Sequence, residues 1–299
     1  MSKGLTGKKI FAFLFLVILS FPIRGQERLF NTAVSLDWIR ASLYAQVNYD
    51  LSLAGIRLPA GRPMGEETLK TVYPSLLRPH LLSIRVDSNT TIRDLVDRGE
   101  ISLGELDRFS REAAGIPPFL SADFTRMIGR YTINLEALSS SLLRHRRAVE
   151  SNIPLIPAQT SDYTGIIIIA NEELPIHGRN SRALAEPCLF PKIWDTDMNL
   201  IYERNMLESG GGKLMARYAI QESIFRPTPS GLDDDLAGFL GQRPLRIIAR
   251  GVFGARPTDF IIDRDDALKI LSSENNRRLL REGRVLLVLN ETVLASYTD

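Results

Sequence analysis

The side chains that could do chemistry are few. There is one cysteine, Cys188, and three histidines, His80, His145 and His177. A lone cysteine forms no intrachain disulfide and no multi-cysteine metal site. Cys188 lies between Pro187 and Leu189, with Phe190 next, a setting for a buried, inert thiol rather than a reactive one. His177 in Leu174-Pro-Ile-His-Gly-Arg179 has the look of a loop base, but the sequence identifies no partner for it. Neither a Gly-x-Ser-x-Gly elbow nor a His-Glu-x-x-His helix occurs.

The acidic and glycine-rich clusters fit ordinary structural roles. Asp195-Thr-Asp-Met-Asn199 opens like a calcium loop, yet Leu200 and Met206 stand where that loop needs Gly and Glu, so a turn is expected. Gly210-Gly-Gly-Lys213 invites comparison with a phosphate loop, but Leu207 replaces its first Gly and Leu214 its hydroxyl residue, which leaves a loop tip. Asp233-Asp-Asp235 lies in a Pro/Ser/Gly-rich stretch and reads as a solvated loop, and Asp263, Asp265 and Asp266 stand where acids cap a helix. Arg144-His-Arg-Arg147 reads as a solvated face. The expectation is no catalytic, cofactor-binding or metal-binding residue, no cofactor, and a protein that is not an enzyme.

These residues hang on two patterned regions. Composition is that of a globular protein, with 44% hydrophobic and 24% charged residues over 299 positions. In the first region Leu43, Ala45, Val47, Tyr49, Leu51 and Leu53 alternate, predicting a strand from Trp38 to Leu53. A helical segment from Glu66 to about Val72 follows, its apolar face continued by Leu76, Leu77, Leu81 and Leu82 despite Pro74 and Pro79, then a short strand at Ser83–Asp87. Asn89-Thr-Thr caps a helix from Ile92, and Ser102 with Glu105 forms a capping box. Tyr131, Ile133 and Leu135 predict another strand. Ser151–Tyr163, with two prolines, reads as a linker.

The second region opens with Gly165–Ala170, a β-branched run that needs cover on both faces. Met215–Ile220 fits strand or helix. Pro244–Phe253 reads as one strand and Phe260–Ile262 as another, before a strand–helix–strand finish closing on Arg284–Leu289. No βαβ rhythm repeats, so the fold class is α+β, with two mixed domains at 26–150 and 164–299 joined by the linker 151–163.

Residues 1–25 carry Lys3, Lys8 and Lys9 ahead of an apolar run from Ile10 to Phe21. As a helix that run falls short of the roughly 30 Å of hydrocarbon, so it predicts a secretion signal, with Gln26 as the mature start. Removing Lys3, Lys8, Lys9 and Arg24 turns 37 basic against 35 acidic residues into 33 against 35, a net charge of −2. No basic stripe interleaved with aromatics remains, so nucleic acid is not an expected partner. Membrane contact is expected only through the signal segment, if it is left uncleaved.

Several stretches resemble a family of exported bacterial proteins related to flagella-associated, basal-disk-type outer-membrane lipoproteins. They are Tyr163–Ala170, Phe190-Pro-Lys-Ile-Trp-Asp195, Leu200–Tyr202, Met215–Tyr218, Pro244-Leu245, Pro257–Ala267 and Leu280–Leu289, with Trp38 and Arg62 in the first half. The chain departs from that family in lacking a lipobox cysteine. The resemblance implies a non-enzymatic periplasmic or envelope-associated protein with a structural or assembly role, associated with envelope or flagellar proteins or with copies of itself. The alternative from the compartment is a periplasmic ligand-binding protein or hydrolase acting on cell-wall material.

Overall fold

The computed structural model describes residues 29–208 and 214–298. The signal segment 1–25 and the Gly210–Lys213 tip lie outside the described residues.

Alternating burial begins earlier than the sequence reading placed it. Val34 and Leu36 point inward from β1 (Phe30–Asp37), and Leu43, Ala45, Val47 and Tyr49 from β2 (Ser42–Asp50), so the expected single strand is a hairpin with Trp38 in its connection. The register runs from Phe30↔Tyr49 to Asp37↔Ser42, and the Phe30 and Tyr49 rings stack at 4.5 Å. Leu53 falls beyond β2 and is exposed. β4 (Arg126–Asn134) pairs with the other side of β2, and β3 (Ala114–Leu120) with β4.

Across this sheet lies α1 (Arg62–Ser83), a single 22-residue helix where the sequence predicts a helical segment only from Glu66 to about Val72 with an apolar face running on past it. Gly65, Leu69, Tyr73, Leu77 and Leu81 recur every fourth residue and are all buried, which makes one continuous stripe. A proline inside a helix costs about 3 kcal/mol. Burying each large side chain of the stripe returns about 1.5–3 kcal/mol, enough for the helix to continue through Pro74 and Pro79. α2 (Ile92–Asp97) and α3 (Leu103–Arg111) start on the capping boxes Thr91/Asp94 and Ser102/Glu105. α4 (Leu135–Leu142) ends the first domain, Leu135 opening this helix rather than closing a strand.

In the second domain β5 (Ile166–Ala170) is an inner strand of an all-parallel sheet. Ile166 and Ile168 join the main core, while Ile167 packs in a smaller cluster on the opposite face, which is why the run is apolar throughout. Two small hairpins follow, β6 (Leu174–Pro175) with β7 (Arg182–Ala183), and β8 (Ile193–Asp195) with β9 (Leu200–Tyr202). β10 (Arg217–Ala219) settles the ambiguous segment as strand. α5 (Asp234–Leu240) sends Leu236 and Leu240 into the smaller cluster.

Pro244–Phe253 is not one strand. β11 (Leu245–Ile248) belongs to the parallel sheet and β12 (Gly251–Phe253) to a second sheet, the chain crossing between them at Ala249-Arg250. β13 (Asp259–Ile262) leads through α6 (Arg264–Leu271) and α7 (Glu274–Arg281) to β14 (Val285–Leu289). The sheet orders are β10-β14-β5-β11 and β12-β13-β8-β9. After α8 (Glu291–Leu294) the chain leaves this domain: β15 (Ala295–Thr298) pairs antiparallel with β1, from Val34↔Thr298 to Asp37↔Ala295. The expected 164–299 domain therefore lends its last strand to the first, and the mixed two-domain α+β architecture is stitched together at its end.

Candidate functional site

The two domains meet along a seam, and the polar side chains of greatest chemical interest collect there. After α1 the chain turns tightly through Ile84–Thr91, where the sequence suggested a strand; only an isolated bridge, Arg85 to Thr91, forms. The second domain holds this turn by its backbone. Leu189 N–H donates to Arg85 O at 3.0 Å, Phe190 N–H to Val86 O at 2.8 Å, and Arg256 N–H to Ser88 O at 3.1 Å. Trp38 meets Tyr218 edge-on, ring centres 5.7 Å apart.

Asp259 is the centre of the seam and is 1% exposed. Its Oδ1 accepts from Lys192 N–H at 3.2 Å and from the Thr258 hydroxyl at 3.4 Å, and its Oδ2 accepts from the Ser88 hydroxyl at 3.4 Å. Burial pushes its pKa up, because the charged form loses hydration that these donors only partly replace. Beside it, the Tyr218 hydroxyl donates to Cys188 O at 2.7 Å and accepts from Cys188 N–H at 3.0 Å. Burial also drives the Cys188 thiol well above its ordinary value and keeps it protonated. Serine, aspartate and thiol thus come together, but all three are buried and no histidine bonds to any of them among the described contacts.

The other candidates lie apart. His80 ends α1, with burial lowering its pKa. The His145 ring nitrogen lies 2.6 Å from Leu207 O. His177 packs edge-on against Phe253, 5.8 Å between ring centres. The calcium-like segment is a turn: Asp195 accepts from the backbone of Asp197 and Asn199 and from the Asn199 amide, while Met198 takes φ 61°. Asp233 caps α5 and Asp263 caps α6, the latter also pairing with Arg250 at 3.1 Å. Asp266 holds Lys269 at 2.7 Å. Among the described residues, no three histidine, cysteine or acidic side chains cluster closely enough to hold a metal ion.

Along the seam lies an open cleft of about 290 Å³ lined by Leu36, Trp38, Arg85, Glu186, Pro187 and Val293. Arg85 Nη1 lies 2.8 Å from Glu186 Oε2, off the line of an aligned N–H bond, so the contact is an ion pair. Such a cleft can take a small polar group against one ion pair and an apolar wall. Sequence reasoning missed Ser88, Asp259, Tyr218 and this pair. One signal was present, an acid at the head of the apolar run Phe260-Ile-Ile262.

Residues 30–141 match the family model described as the N-terminal domain of Treponema pallidum Tp0624. Residues 165–291 match the model for the second domain of the same protein. The order of the two matches is the order of the two domains here, and neither description names a flagellar or lipoprotein family. No curated protein shows significant similarity to the chain.

Proposed function

We propose that this chain is an exported, non-enzymatic envelope protein with a structural or assembly role, packing against other envelope proteins or copies of itself. The flagellar apparatus is the first place to look for its partner. The observation that carries the reading is the use made of the reactive groups. Ser88 reaches across the seam to Asp259, while Cys188, Tyr218 and Thr258 are buried and bonded within the second domain beside it, so these groups serve packing at the domain junction. The apolar start supports export, and the paired domain matches support a fixed two-domain unit.

The test is cross-linking in intact cells, recovery of the tagged protein and mass spectrometry of what accompanies it. A reproducible envelope or flagellar partner, or a self-cross-link, is expected. A monodisperse monomer with no partner would overturn the assembly role and turn attention to cell-wall ligands at the seam cleft.

A further inference from the structure

The linker between the domains is a strap pinned at both ends and bare in the middle. At its first foot Val149 N–H donates to Asn205 O at 2.7 Å and Ser151 is buried. At its second, Ala158 N–H donates to Ser272 Oγ at 2.9 Å, Thr160 Oγ1 to Lys269 O at 3.0 Å, and Tyr163 N–H to Asn276 Oδ1 at 3.0 Å. Between the feet, Ile153-Pro-Leu-Ile-Pro157 stands out. Relative exposure is 69% for Ile153, 102% for Leu155 and 84% for Ile156, and all three are aliphatic. Scattered apolar residues on a surface need no explanation, but three on one proline-bracketed tip, held away from the core by its own feet, do.

The chemistry around the tip selects the occupant. The strap is uncharged from Ser151 to Ser161, while Arg144, Arg146 and Arg147, all exposed, precede it. Of the acids around its first foot, Glu150 lies 3.9 Å from Arg147, and Glu208 and Glu274 are paired with Arg281 and Arg277, so Arg144 and Arg146 stand in no ion pair among the described contacts. An apolar tip beside a basic cluster suits an interface with acidic headgroups above acyl chains. Pro154 and Pro157 have no N–H, so two donors that would need partners outside water are missing from the tip. A protein groove would need the same apolar fit but would give the arginines no assigned role.

We propose that this crest is a membrane-attachment point: Ile153, Leu155 and Ile156 enter the headgroup–acyl boundary of a bilayer whose anionic headgroups meet Arg144, Arg146 and Arg147. It is a surface contact, since no helix among the described residues is long and apolar enough to cross a membrane. This goes beyond the assembly role and does not depend on it.

The test uses the chain from Gln26 onward, which holds every described residue and omits the apolar run Ile10–Phe21. The protein is sedimented with vesicles of phosphatidylcholine alone and of phosphatidylcholine mixed with phosphatidylglycerol. Binding to the mixed vesicles is expected, weakening as salt is added. The Leu155→Ser/Ile156→Ser variant should bind about tenfold or more weakly with an unchanged urea midpoint, because both side chains are already in water. Arg144→Gln/Arg146→Gln/Arg147→Gln should lose the preference for the anionic mixture. Leu155→Trp should shift its emission to the blue when vesicles are added. Wild-type protein left in solution with both vesicles, a serine variant that binds as well as wild type, or a Leu155→Trp emission that does not move would each overturn the proposal. So would a protein cross-link that the serine variant abolishes in a chain that ignores vesicles, since that would assign the crest to a protein partner.

Discussion

Gly254 is where the seam can be tested by adding one carbon. Its φ of 109° is in the region that L side chains rarely adopt, and a Cβ built there would lie 2.4 Å from Ser88 Cβ and 2.8 Å from Arg256 O. Gly254→Ala therefore carries two costs. The backbone strain is of order 1–3 kcal/mol, and forcing a methyl into a filled contact adds about 1–3 kcal/mol. Together they make about 2–6 kcal/mol, against a total of about 5–15 kcal/mol for an ordinary domain. Urea unfolding followed by tryptophan emission measures the loss, because Trp38 sits in the seam against Tyr218. Repeating the substitution in a Ser88→Gly background separates the two costs, since removing the Ser88 side chain relieves its part of the clash but leaves the strain. The expected coupling is about 1–3 kcal/mol. A Gly254→Ala loss under about 1 kcal/mol, or a loss identical in both backgrounds, would refute this account of the seam.

Tyr218→Phe leaves Cys188 N–H and C=O buried without their partner and should cost about 1–3 kcal/mol for each orphaned group, read from the same urea curves. Cys188 should react with a thiol reagent only as fast as the protein opens, so labelling in native buffer should be slow and labelling in urea complete; rapid native labelling would contradict the sealed seam. Asp123 accepts from the Ser121 and Thr125 hydroxyls and from Thr125 N–H, which hold its carboxyl down to about 2 from an ordinary 3.8. Because the folded value is the lower one, its stabilisation is present above pH 3.8 and is lost as pH falls toward about 2. Asp123→Asn should flatten that part of the pH–stability curve; an unchanged acid limb would show that the Ser121–Arg126 turn does not depend on the carboxylate.

Local signals survived the passage from sequence to structure, and long-range ones did not. The capping boxes at Thr91 and Ser102, the cap at Asp263, and the two-sided burial of Ile166–Ala170 depend on near neighbours or on one strand's pattern, and each is visible in a few residues. Asp233-Asp-Asp235, read as a loop, instead caps and opens α5, because Leu236 and Leu240 find a buried cluster that the local Pro/Ser/Gly-rich sequence does not show. The split of Pro244–Phe253 between two sheets depends on partners far along the chain, and continuous alternation conceals it. Pro74 and Pro79 signal a break that the buried stripe of α1 overrides. The seam was hardest to see. Ser88 and Asp259 are separated by 171 positions, and nothing in either neighbourhood announces the other. The linker's composition marked a boundary, but whether Leu155 packs or protrudes is decided by hydrogen bonds that the linker donates to Ser272 and Asn276, which only the fold brings near.

The return of β15 to β1 makes completion of the first domain's sheet wait for a strand about 260 positions away, beyond the whole second domain. Until Ala295–Thr298 arrive, Val34–Asp37 form a bare edge with unpaired amides and carbonyls, the kind of edge onto which a foreign strand can add. Closing it joins Val34 to Thr298, a contact of very high sequence separation, which is among the slowest classes of contact to form. The tail therefore acts as a bolt. A molecule whose bolt has not yet shot home is open to a neighbour's tail, and two such molecules could exchange theirs. Once home, the bolt makes the domains share one fate under a pull on the chain beyond β15, since the first domain must give up an edge strand before the second can unravel.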